Sequence, residues 1–207
     1  MMCDFENNIL KNVSRETVEN LKVYQQMLGE WQEKFNLVSR NSLPDAWIRH
    51  FLDSAQLAEY INPAAETVYD FGSGAGFPAL VLSIMFKEIN PKTRFVLIDS
   101  VAKKTLFLNE VAARFKVNAE VLNTRIEKLD LPAADYITAR AVTCLDNLFE
   151  YSLLYLKKDT VCLFLKGKSY ESELSDAQKA WNFVYKVHPN KVSDGVILEI
   201  KNLRRKK

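Results

Sequence analysis

The sequence predicts an α/β protein built on one doubly wound, mostly parallel sheet that ends in an antiparallel hairpin. After residue 66, short apolar β-rich runs alternate with helical patterns, which is typical of βαβ units. The last two runs are too close in sequence for a helical crossover and should pair antiparallel. The seven runs are TVYDF (67–71), RFVLID (94–99), AEVLNT (119–124), DYITARA (135–141), TVCLFLKG (160–167), WNFVYKVH (181–188) and GVILEIK (195–201).

Helices are predicted between these strands and ahead of the sheet. Within the sheet region the helical patterns cover 78–86, 102–115 and 145–156. Near the N-terminus, Ser14 can cap a helix whose apolar residues recur at steps of three and four as far as Phe35. A second helix should start near Asp45, after Pro44. We therefore expect a helical extension over residues 1–65 and a core over 66–207, packed as one compact domain.

Composition limits the class of protein. The 207 residues are 48% hydrophobic and 26% charged, as in ordinary globular proteins. No apolar run reaches the ~18 residues that span a bilayer, and the first ten residues do not resemble a secretory signal. We expect a cytoplasmic protein without membrane contact. Cys3, Cys144 and Cys162 are too far apart to indicate a zinc site or a disulfide framework, and Cys162 should be a buried hydrophobe.

The basic charge is concentrated at the C-terminus. The net charge is +2, but the final segment KNLRRKK carries five basic side chains. Without them, 23 basic residues stand against 26 acidic ones. The body is therefore not a generally cationic nucleic-acid binder, and any RNA contact needs a local patch. The tail either assists that patch or only improves solubility.

Three alternating glycines occupy the first βα turn of the predicted sheet. Gly72, Gly74 and Gly76 follow Asp70 in the pattern D-x-G-x-G-x-G, whereas a dinucleotide fingerprint reads G-x-G-x-x-G. Ligands of open α/β sheets bind beyond the carboxyl ends of the strands, so a nucleotide-like cofactor should lie on this loop. Asp99 ends the second strand, where a carboxylate can accept hydrogen bonds from ribose hydroxyls. Asp70 either contacts the cofactor or caps the turn.

The glycine pattern resembles the loop of class I S-adenosylmethionine-dependent methyltransferases, which have a Rossmann-like sheet. More specific segments occur in this order: KFNLVS, IRHFLDS, DFGSGAGFP, LIDSVAKKTLFLNEVA, NTRIE, ITARAV and FLKG. Together they look like the bacterial 16S ribosomal RNA guanine-N7 methyltransferase family, RsmG, also called glucose-inhibited division protein B (GidB). The resemblance covers about residues 30–168. Ala79 departs from it, because the family commonly has glycine after the proline.

This resemblance implies an S-adenosylmethionine cofactor and assigns residues to it. By motif, the family's contacts fall on Gly72, Phe77, Ile126, Glu127 and Arg140, the last of them beside either the methionine portion or the incoming base. With the loop and the second strand, the predicted cofactor residues are Asp70, Gly72, Gly74, Gly76, Phe77, Asp99, Ile126, Glu127 and Arg140.

The implied reaction needs no catalytic residue. Guanine N7 carries a free lone pair at neutral pH, so attack on the methyl group requires no general base, and proximity should supply most of the rate. We also predict no metal site. Basic residues near the strand ends are candidates to hold RNA phosphates: Arg49, His50, Lys103, Lys104, Lys166 and Lys168.

Each of these candidates has a structural alternative. Arg49 and Asp53 are spaced to form a helix-surface pair, and His50 could be a buried, hydrogen-bonded histidine. Lys103 and Lys104 could simply be solvated at a helix start. The family further implies action on 16S rRNA in the small ribosomal subunit or its assembly intermediate, and the absence of an obvious exposed apolar stripe favours a monomer. Alternatives are a nicotinamide-dependent reductase, a methyltransferase for another RNA or a small molecule, and a non-catalytic RNA-binding protein.

Overall fold

A seven-stranded sheet forms the centre of the protein. The computed structural model describes the backbone of residues 4–207 and the side chains of residues 6–207. The strand order is β3-β2-β1-β4-β5-β7-β6, with β7 antiparallel to both of its neighbours and the other pairs parallel. This arrangement confirms the predicted fold class. The strands are β1 (Thr67–Phe71), β2 (Arg94–Asp99), β3 (Ala119–Asn123), β4 (Tyr136–Arg140), β5 (Val161–Lys166), β6 (Trp181–Pro189) and β7 (Val196–Arg205).

Helices cover both faces of the sheet and precede it. They are α1 (Asp4–Leu10), α2 (Arg15–Gln32), α3 (Asp53–Ala55), α4 (Ala79–Ile89), α5 (Ala102–Phe115), α6 (Leu145–Leu153) and α7 (Tyr170–Ala180). Helix α3 is the middle of an irregular helix over 47–60, which begins with a π-helical stretch, Trp47–Leu52, and ends with a 3₁₀ stretch, Gln56–Tyr60. Ser14 caps α2 as predicted, since its Oγ accepts the Thr17 N–H at 3.0 Å.

Several helical elements differ from the prediction in their bounds, and α1 was not predicted. The second helix begins at Trp47 rather than near Asp45, and α6 ends at Leu153 rather than at residue 156. Helix α7 was not predicted. It buries only Leu174 and Ala177, so its sequence lacks the apolar periodicity that marks an amphipathic helix.

Two hydrophobic cores fill the space between the sheet and its helices. One joins α2 and the irregular helix to α4 and α5, and it includes the fully buried Tyr24 and Phe51. The other lies under α6, α7 and the β6–β7 hairpin, around Phe149 and Trp181. The first core takes residues from both sides of the predicted boundary at 65, while the boundary itself stays a prediction.

No helix within residues 4–207 is long and apolar enough to cross a membrane. Cys162 is buried in β5 as expected, and burial raises the pKa of its thiol to about 12. Cys144 is exposed, and Cys3 lies outside the described residues.

Candidate active site

The glycine loop after β1 adopts the left-handed backbone that glycine permits. The φ angles of Gly72, Gly74 and Gly76 are 63°, 60° and 94°. Their surroundings differ, however. A Cβ on Gly72 would lie 2.7 Å from Val142 Cγ2, and one on Gly76 would collide with the Tyr24 hydroxyl and lie 2.7 Å from Leu80 Cδ1. Around Gly74 the nearest atom to such a Cβ is the Gly72 carbonyl oxygen at 3.8 Å, so only this glycine faces open space.

The loop is partly filled by the protein itself. The buried Tyr24 of α2 donates its hydroxyl hydrogen to the Ala75 carbonyl and packs against Gly76. At Gly76, α2 itself makes the close approach to the backbone, and the assignment of this glycine to the cofactor stays a prediction. Tyr24 also stacks on Phe77, with ring centroids 5.8 Å apart and an interplanar angle of 12°. The N-terminal helices thus shape the loop directly.

Asp70 lies within β1, next to the glycine loop, and does not line a cavity. Its side chain is fully buried, and Oδ1 accepts a hydrogen bond from Thr138 Oγ1 of β4 at 2.6 Å. Within the described residues, Oδ2 has no hydrogen-bond partner. Burial raises the pKa of Asp70 to about 7, because desolvation outweighs the hydrogen bonds that favour the carboxylate. The predicted alternatives, cofactor contact or turn capping, did not include this contact between strands, and both stay predictions.

The first of two cavities opens at the carboxyl ends of β1, β2 and β3 and has a volume of about 320 Å³. Four predicted cofactor residues line it together: Gly72, Asp99, Ile126 and Glu127. Sequence reasoning missed the others, which are Ile98, Ser100, Thr124, Arg125, Val142 and Tyr151. Most of these are neighbours in sequence of predicted residues, whereas Val142 and Tyr151 come from the segment after β4 and from α6.

The donors and acceptors of this first cavity suit an adenosine group. Asp99 Oδ2 accepts the Gly74 N–H at 2.8 Å, and Oδ1 accepts the Val101 N–H at 2.8 Å. Each oxygen keeps a lone pair that can accept a ribose hydroxyl. The buried Ile126 offers an apolar surface to a purine ring, and the open backbone at Gly74 lets a ligand lie close to the loop. These residues fit S-adenosylmethionine.

A second cavity of about 680 Å³ lies at the carboxyl ends of β4 and β5. Five parts of the chain line it: the irregular helix, the end of β4, the end of β5 with the segment after it, α7, and the turn between β6 and β7. Predicted residues found here are Arg49, His50, Arg140, Lys166 and Lys168. Arg140 was predicted beside either the methionine portion of the cofactor or the incoming base; it lines this second cavity, and its role stays a prediction.

Asp53 is the centre of the hydrogen bonds around the second cavity. Its Oδ2 lies 3.2 Å from Arg140 Nη1, and its Oδ1 accepts a hydrogen bond from Asn190 Nδ2 at 2.6 Å. Arg140 also donates to the Arg49 carbonyl at 2.9 Å. The predicted Arg49–Asp53 pair is not formed, and Arg49 Nη1 lies 3.5 Å from the Asn41 carbonyl instead. Asp53 therefore connects the irregular helix, β4 and the hairpin turn.

Phe77 lies beneath this network rather than beside the first cavity. It is only 3% exposed, and the Arg140 guanidinium lies over its ring, 5.0 Å from the centroid. His50 stacks on the same ring with centroids 5.0 Å apart. Because Phe77 contacts both side chains, we interpret it as the support that holds Arg140 and His50 in place.

His50 is both a buried histidine and part of the cavity wall. It is 9% exposed, and its Nε2 lies 2.9 Å from Ser42 Oγ. Burial, followed by the positive charges of Arg140 and Arg49, lowers the pKa of His50 to about 4. The imidazole is consequently neutral at physiological pH and cannot hold a phosphate by charge.

The lysines are distributed differently from the prediction. Lys166 is nearly buried, with Nζ 2.6 Å from Glu173 Oε2 and 3.0 Å from the Thr143 carbonyl oxygen, so its charge is neutralised within the protein. Lys168 pairs with Asp194 at 2.9 Å on the surface. Lys103 and Lys104 lie at the start of α5 and line neither cavity, and Lys103 Nζ lies over the Phe35 ring.

A short segment after β4 separates the two cavities. Val142 lines the first cavity, while Arg140 and Ala141 line the second. Ala141 has a φ of 54°, which is uncommon for a residue with a Cβ. The two cavities therefore adjoin at residues 140–142. Across residues 4–207 there is no group of three or more His, Cys, Asp or Glu side chains that could hold a metal ion.

Comparison with known proteins agrees with this geometry. The sequence model of the GidB family, described as rRNA small subunit methyltransferase G, matches residues 17–196. A Ribosomal RNA small subunit methyltransferase G of Ruegeria pomeroyi is 41% identical over 84% of this chain and 85% of its own length. One from Paramagnetospirillum magneticum is 40% identical over 93% of this chain and 92% of its own.

Solved structures share the fold at low sequence identity. TYW2 of M. jannaschii in complex with AdoMet superposes with a TM-score of 0.58 at 16% identity, over 82% of this chain and 78% of its own. An O-methyltransferase of Bacillus cereus in complex with SAH gives 0.57 at 14% identity, over 95% and 94%. The fold is that of the S-adenosylmethionine-dependent methyltransferases, and with the sequence matches it shows that this chain belongs to the GidB family of small-subunit rRNA methyltransferases.

Proposed function

We propose that this chain transfers the methyl group of S-adenosylmethionine to N7 of a guanine in 16S rRNA. The observation that supports this most strongly is that two cavities adjoin at residues 140–142. One cavity has acceptors for a nucleoside, and the other is large enough for a base. For the in-line displacement, the methyl group and N7 would have to meet directly where the two cavities adjoin.

Residues of the first cavity would bind and orient the cofactor. When bound, S-adenosylmethionine supplies a methyl group activated by a positively charged sulfur. Asp99 would accept hydrogen bonds from the ribose, Ile126 would pack on the adenine, and the Gly72–Gly74 backbone would lie against the rest of the molecule. Because two backbone N–H groups already hold the Asp99 carboxylate, this side chain needs no rearrangement to accept the ribose hydroxyls.

Residues of the second cavity would orient the guanine and exclude water. N7 needs no general base, so the task of the protein is alignment. Arg140 is held by Asp53 and by the Arg49 carbonyl, and its remaining N–H groups can donate to guanine O6. As the base gains positive charge, the nearby Asp53 carboxylate would stabilise it, and the neutral His50 would not oppose it.

We further propose that the substrate is the small subunit or an assembly intermediate of it, and that the enzyme acts as a monomer in the cytoplasm. The family description names the small-subunit rRNA. Three of the cations that line the second cavity are paired with carboxylates in its own wall, which makes tight binding of a free oligonucleotide there unfavourable. A folded RNA–protein particle offers additional contacts.

The experiment is transfer of labelled methyl from S-adenosylmethionine to small subunits prepared from cells that lack this protein. We expect the label in 7-methylguanosine after digestion of the 16S rRNA to nucleosides. Arg140→Ala should abolish transfer, while the matched exposed change Lys22→Ala should not. Label in another nucleoside would overturn the N7 assignment. The absence of label would refute the proposed substrate. If S-adenosylhomocysteine still bound normally in the same preparation, the cofactor assignment would stand.

A further inference from the structure

A basic groove lies at the end of the sheet opposite the two cavities. It has a volume of about 620 Å³ and runs between the start of β5 and the far ends of β6 and β7. Its position follows from strand direction, since Cys162 lines the groove and Lys166, at the other end of β5, lines the second cavity. The groove opens where the β6–β7 register shifts between Asn182 and Val184.

Charge distinguishes this groove from the second cavity. Its wall includes four exposed basic side chains and no carboxylate: Lys157, Lys158, Lys201 and Arg204. Lys157 pairs with Asp135 and Lys201 with Glu199, both outside the wall. Among the described residues, the side chains of Lys158 and Arg204 form neither an ion pair nor a hydrogen bond. In the second cavity, by contrast, Arg140, Lys166 and Lys168 each pair with a carboxylate that is itself part of the wall.

The β6–β7 hairpin extends from the second cavity to the groove. Its turn, from Asn190 to Gly195, lines the second cavity, and its open end lines the groove. Arg204 is eight residues along β7 from Val196, which corresponds to about 27 Å of strand. A chain of several nucleotides can span this distance along the outer edge of β6.

We propose that the groove binds the RNA sugar-phosphate backbone at a distance from the target guanine, through Lys158 and Arg204 above all. This inference rests on the proposed function, because it takes the substrate to be ribosomal RNA. The groove would supply the positional, sequence-independent part of binding. The second cavity, where Arg140, Lys166 and Lys168 are paired with carboxylates, would supply recognition of the base.

The test compares Lys158→Ala/Arg204→Ala with the wild-type enzyme in methyl transfer to small subunits over a range of KCl concentrations. We expect KM to rise about tenfold, with kcat and the Kd for S-adenosylhomocysteine unchanged. Loss of two phosphate contacts should also flatten the dependence of log KM on log salt by about 1.5. The charge reversal Lys158→Glu/Arg204→Glu should raise KM further.

The matched control is Lys22→Ala/Lys92→Ala, which removes two exposed lysines elsewhere on the surface. It should leave KM and the salt dependence at wild-type values, and all variants should melt at the same temperature. An unchanged KM in the groove variant would overturn the proposal. A raised KM with an unchanged salt dependence would also overturn it, because that result would indicate contact with a ribosomal protein rather than with RNA. If no methyl transfer occurs, the proposed function is refuted but the groove is not. Co-sedimentation of the same variants with small subunits then tests whether the groove binds RNA.

Discussion

The two cavities at the carboxyl edge of the sheet are built in different ways. The first is formed mainly by backbone and by residues that directly follow β1, β2 and β3, with Asp99 held by two N–H groups. The second is assembled from five separate segments, including α7, and side-chain contacts centred on Asp53 connect three of them. The cofactor side is therefore fixed by the fold, whereas the base side depends on a few side-chain contacts.

This difference predicts that single substitutions will damage the second cavity most. Asp53→Ala leaves Arg140 without its carboxylate and Asn190 without its acceptor in a nearly buried place. Truncating one partner of such a pair costs about 2–5 kcal/mol, so we expect kcat/KM to fall about 10²–10³-fold. Binding of S-adenosylhomocysteine, measured by calorimetry, should change less than threefold.

Asp53→Asn is the matched control for that prediction. It keeps one acceptor and the shape of the side chain but loses the charge, so its activity should lie between wild type and Asp53→Ala. Activity of Asp53→Ala within threefold of wild type, with an unchanged melting temperature, would show that the network does not organise the base side.

A change in the first cavity should instead affect cofactor affinity. Gly72→Ala places a Cβ at a φ of 63° and 2.7 Å from Val142 Cγ2. We expect the Kd for S-adenosylhomocysteine to rise at least tenfold, and Gly72→Ala/Val142→Ala to recover part of the loss. Gly29→Ala, whose Cβ would have no neighbour within 4 Å, is the control. A wild-type Kd for Gly72→Ala would refute the placement of the cofactor on this loop.

A smaller effect is expected at the hairpin turn. Asn190→Ala removes the hydrogen bond to Asp53 and the acceptor for the Val192 N–H. We expect KM for small subunits to rise about fivefold without a change in cofactor affinity. Asn190→Asp puts a second carboxylate beside Asp53 and should be worse than alanine. Equal KM values for the two variants would contradict the role of this contact.

The smallest effect on activity should come from Asp70, whose influence is on stability. Its pKa is raised to about 7 in the folded protein, so the native state holds this proton more tightly than the unfolded chain does. The contribution of the protonated carboxyl group to the free energy of unfolding is fully present below about pH 4 and is lost as the pH rises through 7. Asp70→Asn has no ionisable group at this position. The melting temperature of the variant, relative to that of wild type, should therefore increase as the pH rises from 5 to 8.

The exposed Asp130→Asn serves as the control for this pH dependence and should parallel wild type throughout. If the Asp70→Asn profile also ran parallel to wild type, the raised pKa of Asp70 would be refuted.

The sheet and the family could be predicted because both depend on contiguous sequence. The first six strands were located to within one residue at each end by their apolar β-rich runs, whereas β7 continues four residues past the predicted end at 201. The family match confirms the family that the glycine loop and its neighbouring motifs indicated. Helix α7 was missed because it buries too little to show a period. The division at residue 65 and the roles of the site residues stay predictions.

The contacts of the second cavity could not be predicted, because they join residues far apart in sequence. Asp53 was assigned to Arg49 on the assumption of regular helical spacing, but the π-helical stretch Trp47–Leu52 changes that spacing. Its actual partners, Arg140 and Asn190, are 87 and 137 residues away. Likewise, nothing in the local sequence shows that Lys166 is neutralised by Glu173 or that Tyr24 fills the space beside Gly76.

The most direct test of the division between the two cavities is hydrogen–deuterium exchange with and without S-adenosylhomocysteine. We predict that the ligand protects amides in 70–76, 98–101 and 123–127, which surround the first cavity, and leaves 49–56 and 190–195 unchanged. Protection of the irregular helix and the hairpin turn, with no change in the glycine loop, would place the cofactor in the second cavity and contradict the account.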